Sequence, residues 1–377
     1  MNKEIYNRHK ITNVDLCLFF NMKNFSKDLL DWYNVNKRPF PWREHIDVYH
    51  TWICEIMSQQ TILSVVLPRY KEFIKELPDL KSLAFCEDDR LRKLWAGLGY
   101  YARARNLRKG AQFILDEFKG SFPTNFSSWI KVPGCGPYTA SVISSICFNE
   151  PVACVDGNVV RVISRILNLQ NNVWDKQGQD YIQRYVNQLI SRENPGDFNQ
   201  AMMDLGATIC KKQNPNCEIC PVQKYCQAFS KETVSLCPPV KPRKNTQEEN
   251  IIAVIFKKMS SNEILLIKRE QGFLTKTFGF PLISSSESLS LENLYADIKK
   301  IGFSISCLPG QFKHSITHHK IVGTAILVND FKHNSKSEKI FEKYLKFSEL
   351  QWIPISHLKH NLSSSLDLKV LKILSSI

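Results

Sequence analysis

Val132-Pro133-Gly134-Cys135-Gly136-Pro137-Tyr138-Thr139-Ala140 is the stretch on which the fold turns. Residues 127–131 end one helix, two glycines permit a tight turn, and Pro137 suits the first position of a second helix. The pattern is a helix–hairpin–helix. Such a turn leaves the first N–H groups of its second helix unpaired and, with the helix dipole, able to hold a phosphate oxygen. Gly134 and Gly136 are therefore candidate nucleic-acid contacts. Alone, the stretch would be a plain corner between two helices. It is followed within the next helical segment's length by Val155-Asp156-Gly157-Asn158-Val159, which adds a carboxylate and an amide to the same region.

Outward from this hairpin, residues 24–226 carry a mostly helical pattern, with helices expected over 49–73, 91–117, 137–148, 159–168 and 178–191. Residues 1–23 are expected to be an N-terminal extension and 24–228 a helical domain. The polar, Pro-containing stretch 229–250 reads as a linker. After it the period changes. Strands are expected over 251–257, 263–268 and near 320–328, with helices near 290–300, 337–346 and 363–375, so 251–377 reads as an α+β domain.

The composition agrees with a globular protein: 43% apolar and 23% charged among 377 residues. No run of about 18 apolar residues occurs, which excludes a membrane-spanning helix from the expectation, and no signal peptide is recognisable, so a cytoplasmic location is expected. Lys and Arg number 50 against 36 Asp and Glu. The excess is present in both parts, 29 basic against 23 acidic up to residue 230 and 21 against 13 beyond it, which favours a polyanionic partner.

Twelve cysteines without a secretory signal argue for a reducing compartment. Eight are scattered among mostly apolar neighbours. The other four form Cys210-x6-Cys217-x2-Cys220-x5-Cys226, close enough to serve one metal centre. Soft thiolates suit structural zinc or an iron–sulfur cluster. Zinc usually takes two short Cys pairs; a single short pair with unequal arms tips the reading toward [4Fe–4S].

Together, residues 132–140, residues 155–161 and the four-cysteine loop resemble the iron–sulfur helix–hairpin–helix DNA glycosylases. Residues 38–43 (RPFPWR), 55–61 (EIMSQQT) and 95–107 (WAGLGYYARARNL) are similar to the adenine DNA glycosylase family within them. The resemblance implies a mostly α glycosylase fold, a six-helix module plus an iron–sulfur module, followed by an α+β Nudix-like domain. It implies a monomer acting on double-stranded DNA that carries 8-oxoguanine:adenine or guanine:adenine mispairs.

It also implies roles. Glu55, set among Trp52, Ile53, Ile56 and Met57, is expected to be desolvated, with a raised pKa, and to protonate adenine at N7. Asp156, a helix N-cap by its position, is expected to stabilise the sugar cation electrostatically or by a transient covalent bond, with Asn158 orienting it. At position 138 bifunctional relatives such as endonuclease III carry a Lys that forms a Schiff base; Tyr138 makes no imine, so excision without strand cleavage is expected. Arg38, Trp42 and Gln200 resemble the adenine pocket, and Gln60, Leu98 and Tyr100 the residues that wedge into the duplex. Arg103 and Arg105 read equally as a solvated helix face or as phosphate contacts. In the cysteine loop, Lys211, Lys212 and Lys224 are expected to face the DNA backbone.

Residues 272–281 resemble a signature of the family's C-terminal domain, which by resemblance reads 8-oxoguanine. The contact loop here is Ile316-Thr317-His318, with Thr317 and His318 as candidate lesion contacts; Ile316 stands where most members have Phe. The helix near residue 291 lacks the acidic set that Nudix hydrolysis needs, so phosphohydrolysis is not expected.

Overall fold

The computed structural model describes residues 13–242, 246–258, 260–285, 291–316, 318–331, 335–362 and 364–376, without the side chains of 13–23 and 335–337. The chain divides into two units, Met1–Pro242 and Arg243–Ile377.

Two hydrophobic cores build the first unit. One gathers Trp52, Ile53, Met57, Phe73, Trp95, Leu107, Trp129 and Ile143. The other joins Phe25, Leu29 and Tyr33 of the first helix, Asn13–Asn36, to Val159, Ile163, Ile182, Phe198 and Met202. The helix Pro137–Phe148 packs against both Val48–Ser58 of the first core and Pro195–Thr208 of the second. Short polar side chains start the surrounding helices by accepting from orphan N–H groups: Asp47 from His50 at 2.9 Å, Asp175 from Gly178 at 2.7 Å, and Asp79 from Ser82 in a reciprocal capping box.

Two expected helices are broken. The stretch 49–73 divides into Val48–Ser58 and Leu63–Glu76, because Gln60 takes φ 56°. The stretch 91–117 divides into Asp88–Leu94 and Ala102–Glu117, where Gly97, Gly99 and Tyr100 all have positive φ. The first helix begins at Asn13, inside the stretch read as an extension. The expected linker also shortens: Cys237 is buried at 2% exposure, and the first strand of the second unit starts at Gln247.

In the second unit the strands are β1 Gln247–Lys258, β2 Glu263–Arg269, β3 Phe278–Gly279, β4 Leu282–Ser284, β5 Ser304–Ile316, β6 His319–Asn329 and β7 Phe347–Pro354. They form one mixed sheet in the order β3-β2-β1-β6-β5, with β4 on β1 and β7 on β2; β1 and β6 run parallel. Strand β1 is buried continuously over 251–256 because both faces are covered. Ile252, Val254 and Phe256 face Leu294, Ile298 and Phe341; Ile251, Ala253 and Ile255 share a core with Leu366 and Val370. Gly279 lies over a buried Arg269–Asp367 ion pair, where any Cβ would overlap it. That pair gives the glycine of the 272–281 signature a structural reason. β5 has no counterpart among the expected strands; its Pro309 and Gly310 sit at a bulge between Cys307 and Gln311.

Candidate active site

Glu55 projects from Val48–Ser58, a helix whose other side chains are largely buried in the first core, and is itself partly exposed. Burial pushes its carboxyl up from the ordinary value of 4.5 to about 7. The Arg43 guanidinium pulls the other way, the neighbouring charge of Asp156 adds to the rise, and a hydrogen bond from Tyr138 opposes it. Tyr138, on the helix shared by both cores, also donates to Met203 Sδ at 3.6 Å. Burial raises its phenol far above neutrality, so it stays a donor.

Asp156 caps Gly157–Ile166 from the second core. Its Oδ1 accepts from Val159 N at 2.8 Å and its Oδ2 from Asn158 Nδ2 at 2.8 Å. Asn158 Oδ1 in turn accepts from Arg161 Nη2 at 2.8 Å. The remaining N–H groups of Arg161 reach Gly206 O at 2.7 Å and Cys210 O at 2.8 Å. Gly206 allows this approach; a Cβ there would come within 2.7 Å of Asn158 Cβ. The carboxylate and the cysteine loop thus share one hydrogen-bond network. Glu55, Tyr138, Asp156 and Asn158 meet where the two cores adjoin.

Arg38 is placed differently from the sequence expectation. Arg38 is committed to Asp204: its Nε and Nη2 donate to Oδ1 at 2.8 and 2.6 Å and its backbone N to Oδ2 at 3.2 Å. Arg43 grips the same fully buried carboxylate at 2.8 and 3.1 Å. Burial works against the charge of Asp204, but the two guanidiniums hold its carboxyl below the usual range. Arg38 therefore anchors this loop instead of presenting a free guanidinium to a base. Trp42 is 9% exposed, stacked on Phe40 at 5.0 Å with its edge to Tyr70. Gln200 is 7% exposed and donates to Asp197 at 3.4 Å.

Gln60 and Tyr100 are exposed, but Leu98 is buried at 4%, in the core with Trp95. In this conformation Leu98 holds its loop from beneath and is not a wedge. Ile62, two positions after Gln60, is 69% exposed. Arg103 is neither a solvated face nor free for phosphate: its guanidinium hydrogen-bonds backbone of its own unit. At the hairpin, Gly134 has φ 85° and a Cβ would fall 2.9 Å from Asn106 Cβ, so only glycine fits. Gly136 faces open space, and no side chain caps the helix that starts at Pro137. Its outward N–H groups are placed for an anion.

The four cysteines of the loop line one pocket with Val162, Arg165, Leu205 and Ile209. Among the described residues no three His, Cys, Asp or Glu converge as ligands of a single ion do. Four thiols gathered in one pocket are a ligand set of the kind an iron–sulfur cluster takes. Buried Arg165 supplies matching charge: its Nη1 lies 3.2 Å from Cys210 Sγ and 2.7 Å from Lys211 O, and its Nε 2.9 Å from Cys237 O. Of the loop lysines, Lys224 pairs with Asp28 at 2.9 Å, so it is tied to the first helix; Lys211 and Lys212 are exposed.

In the second unit, Ile316 pairs with His319 across the β5–β6 hairpin, and His318 is exposed at its tip with its carbonyl accepting from Gln247 N at 2.9 Å. Thr317 lies outside the described residues.

A family model described as HhH-GPD superfamily base excision DNA repair protein matches residues 53–191, and one described as the iron-sulfur binding domain of endonuclease III matches 210–226. A thermostable thymine-DNA glycosylase of solved structure superposes with TM-score 0.52 at 27% identity, over 56% of this chain and 98% of its own. Hairpin, paired carboxylates and cysteine loop therefore define a helix–hairpin–helix DNA base-excision repair protein with an iron–sulfur cluster. An adenine DNA glycosylase of Buchnera aphidicola subsp. Acyrthosiphon pisum is 35% identical over 305 residues, 81% of this chain and 86% of its own length. That share exceeds what the first unit alone can supply. One from Arabidopsis thaliana is 37% identical over 298 residues, 69% of this chain, but the chain spans only 47% of the plant protein's length. The chain belongs to the adenine DNA glycosylase family.

Proposed function

We propose that this glycosylase excises adenine paired with 8-oxoguanine or guanine in double-stranded DNA and leaves an intact abasic strand. The observation that carries the reading is the pairing of two unlike carboxyls. Glu55 keeps its proton up to about pH 7, while Asp156 is held in place by the Val159 N–H and the Asn158 amide. One is an acid and the other a counter-charge.

The adenine is flipped from the duplex, since its glycosidic bond is unreachable in the stack. Glu55 gives its proton to N7. The C1′–N9 bond then breaks, with its electrons passing to the base. Positive charge grows on the deoxyribose and is offset by Asp156, which Asn158 and the Val159 N–H hold in place. Water adds to C1′ and gives its proton to the Glu55 carboxylate, which restores the acid, and free adenine and the abasic strand are released. Tyr138 closes the site against Glu55 and offers no amine, so the strand is not cut. Trp42 and Gln200 flank the base, while Gln60 and Tyr100 fill the space it vacates. The hairpin N–H groups at Gly136 hold a backbone phosphate. Cys210, Cys217, Cys220 and Cys226 would hold the cluster, which would fasten the loop that supports Arg161. In the second unit Thr317 and His318 are the candidate lesion contacts. The enzyme acts as a monomer in the cytoplasm, on the nucleoid if bacterial.

The test is a panel of duplexes carrying adenine opposite 8-oxoguanine, guanine or thymine, and thymine glycol opposite adenine, each with and without alkali. Scission is expected only after alkali, at adenine opposite 8-oxoguanine and guanine. Cleavage without alkali, or release of thymine glycol, would overturn the reading.

A further inference from the structure

Arg103 was left without a role, yet its guanidinium makes more hydrogen bonds than any other side chain of the described site. Nη1 donates to the carbonyls of Ile56 at 2.9 Å, Met57 at 3.0 Å and Gln59. Nη2 donates to Leu98 O at 2.8 Å, Gly99 O at 3.2 Å and Thr61 Oγ1 at 3.1 Å. The first set comprises last-turn and following carbonyls of Val48–Ser58, which the helix itself cannot satisfy. The second set belongs to the glycine-rich turn after Trp95. One planar fork therefore joins two loops that are distant in sequence, a geometry a lysine ammonium cannot reproduce.

The surroundings agree with a staple. Carbonyl dipoles and the faces of Trp95 and Tyr100, 5.5 and 5.8 Å away, meet its charge. Thr61 Oγ1 bridges the same loops, 3.3 Å from both Gln59 O and Leu98 O. Each loop carries a non-glycine residue in the left-handed region, Gln60 at φ 56° and Tyr100 at 47°. Such conformations persist only where the surroundings fix them. Gln59 Nε2 also donates to Thr139 on the hairpin helix at 3.2 Å.

We propose that Arg103 is a positioning residue that locks the loops 59–62 and 98–100 into one preorganised unit, so that Gln60 and Tyr100 enter the duplex already placed. The inference rests on the reading above that these loops meet DNA. Arg103 touches no reacting atom; it supplies loop order.

The test uses the full cluster-loaded chain and the variants Arg103→Lys and Arg103→Gln. Hydrogen-exchange mass spectrometry of the free protein reads the staple directly. Peptides covering 56–61 and 96–101 are expected to exchange faster together in both variants, with 157–166 and 195–208 unchanged. Single-turnover excision is then compared on adenine opposite 8-oxoguanine and adenine opposite an abasic-site analogue, which is already unstacked. The mispair rate is expected to fall by about tenfold or more while the unstacked substrate loses about twofold or less. If Arg103→Gln does not fold, Arg103→Lys keeps charge and stem and carries both readouts. Unchanged exchange in either loop, or an equal fall on both substrates, would overturn the proposal. A parent that removes adenine from neither substrate contradicts the function proposed above, and the exchange arm then judges the staple separately.

Discussion

Replacing Glu55 by Gln at pH 8 is expected to stabilise the protein while abolishing its chemistry. Burial holds the Glu55 carboxyl at about 7 against an ordinary 4.5. At about 1.36 kcal/mol per unit, the shift corresponds to roughly 3 kcal/mol, reduced by partial exposure to about 1.5–3 kcal/mol. The sign follows from the raised value. Below pH 4.5 the group is protonated folded and unfolded, and it costs nothing. As pH rises toward 7 the unfolded chain ionises first, and stability is lost; above 7 the full cost is present. Glutamine keeps the shape and removes the titration. At roughly 2–4 °C per kcal/mol for a unit of this size, Glu55→Gln should melt about 3–12 °C above the parent at pH 8. At pH 5 the gap should shrink to a small fraction of that. The assay is thermal denaturation of the cluster-loaded chain followed by circular dichroism, with adenine excision measured on the same samples. A variant that melts at or below the parent at pH 8, or whose advantage is the same at both pH values, refutes the reasoning.

The single-turnover excision rate of the parent should fall about tenfold per pH unit above 7, because the acid form of Glu55 is the competent one; a rate still climbing at pH 8.5 contradicts this. Asn158→Ala frees one oxygen of Asp156 and breaks the link to Arg161, so the excision rate should drop about 10–100-fold with duplex affinity preserved, checked by titration of a non-cleavable duplex. Cys220→Ser should lose the absorbance band near 400 nm expected of an iron–sulfur cluster and weaken DNA binding; an unchanged spectrum contradicts the ligand set.

Much of the catalytic unit was legible in the sequence, because its marks are local. Gly134, Pro137 and Asp156 each do in the fold what their chemistry dictates in any chain: a positive φ, a helix start, an N-cap. What was hidden depends on partners far along the chain. Arg38 read as a pocket residue because nothing in 38–43 reveals Asp204, 166 positions away. Arg103 read equally as a helix surface or a phosphate contact, because its acceptors are carbonyls, which every residue carries and no motif marks. Leu98 read as a wedge by resemblance alone, whereas in the fold, between Gly97 and Gly99 of positive φ, it packs into the core. In the second unit, the thirteen-residue strand β5, with Pro and Gly inside it, has no counterpart among the expected strands.

Proton transfer to N7 is the step on which the account stands, and an 8-oxoguanine duplex carrying 7-deazaadenine in place of adenine tests it most directly. That base keeps the shape and pairing edge but has carbon where the proton must land. The account predicts that the enzyme binds this duplex about as tightly as the natural mispair and releases no base under single-turnover conditions. Release at a rate comparable to that of adenine would contradict it.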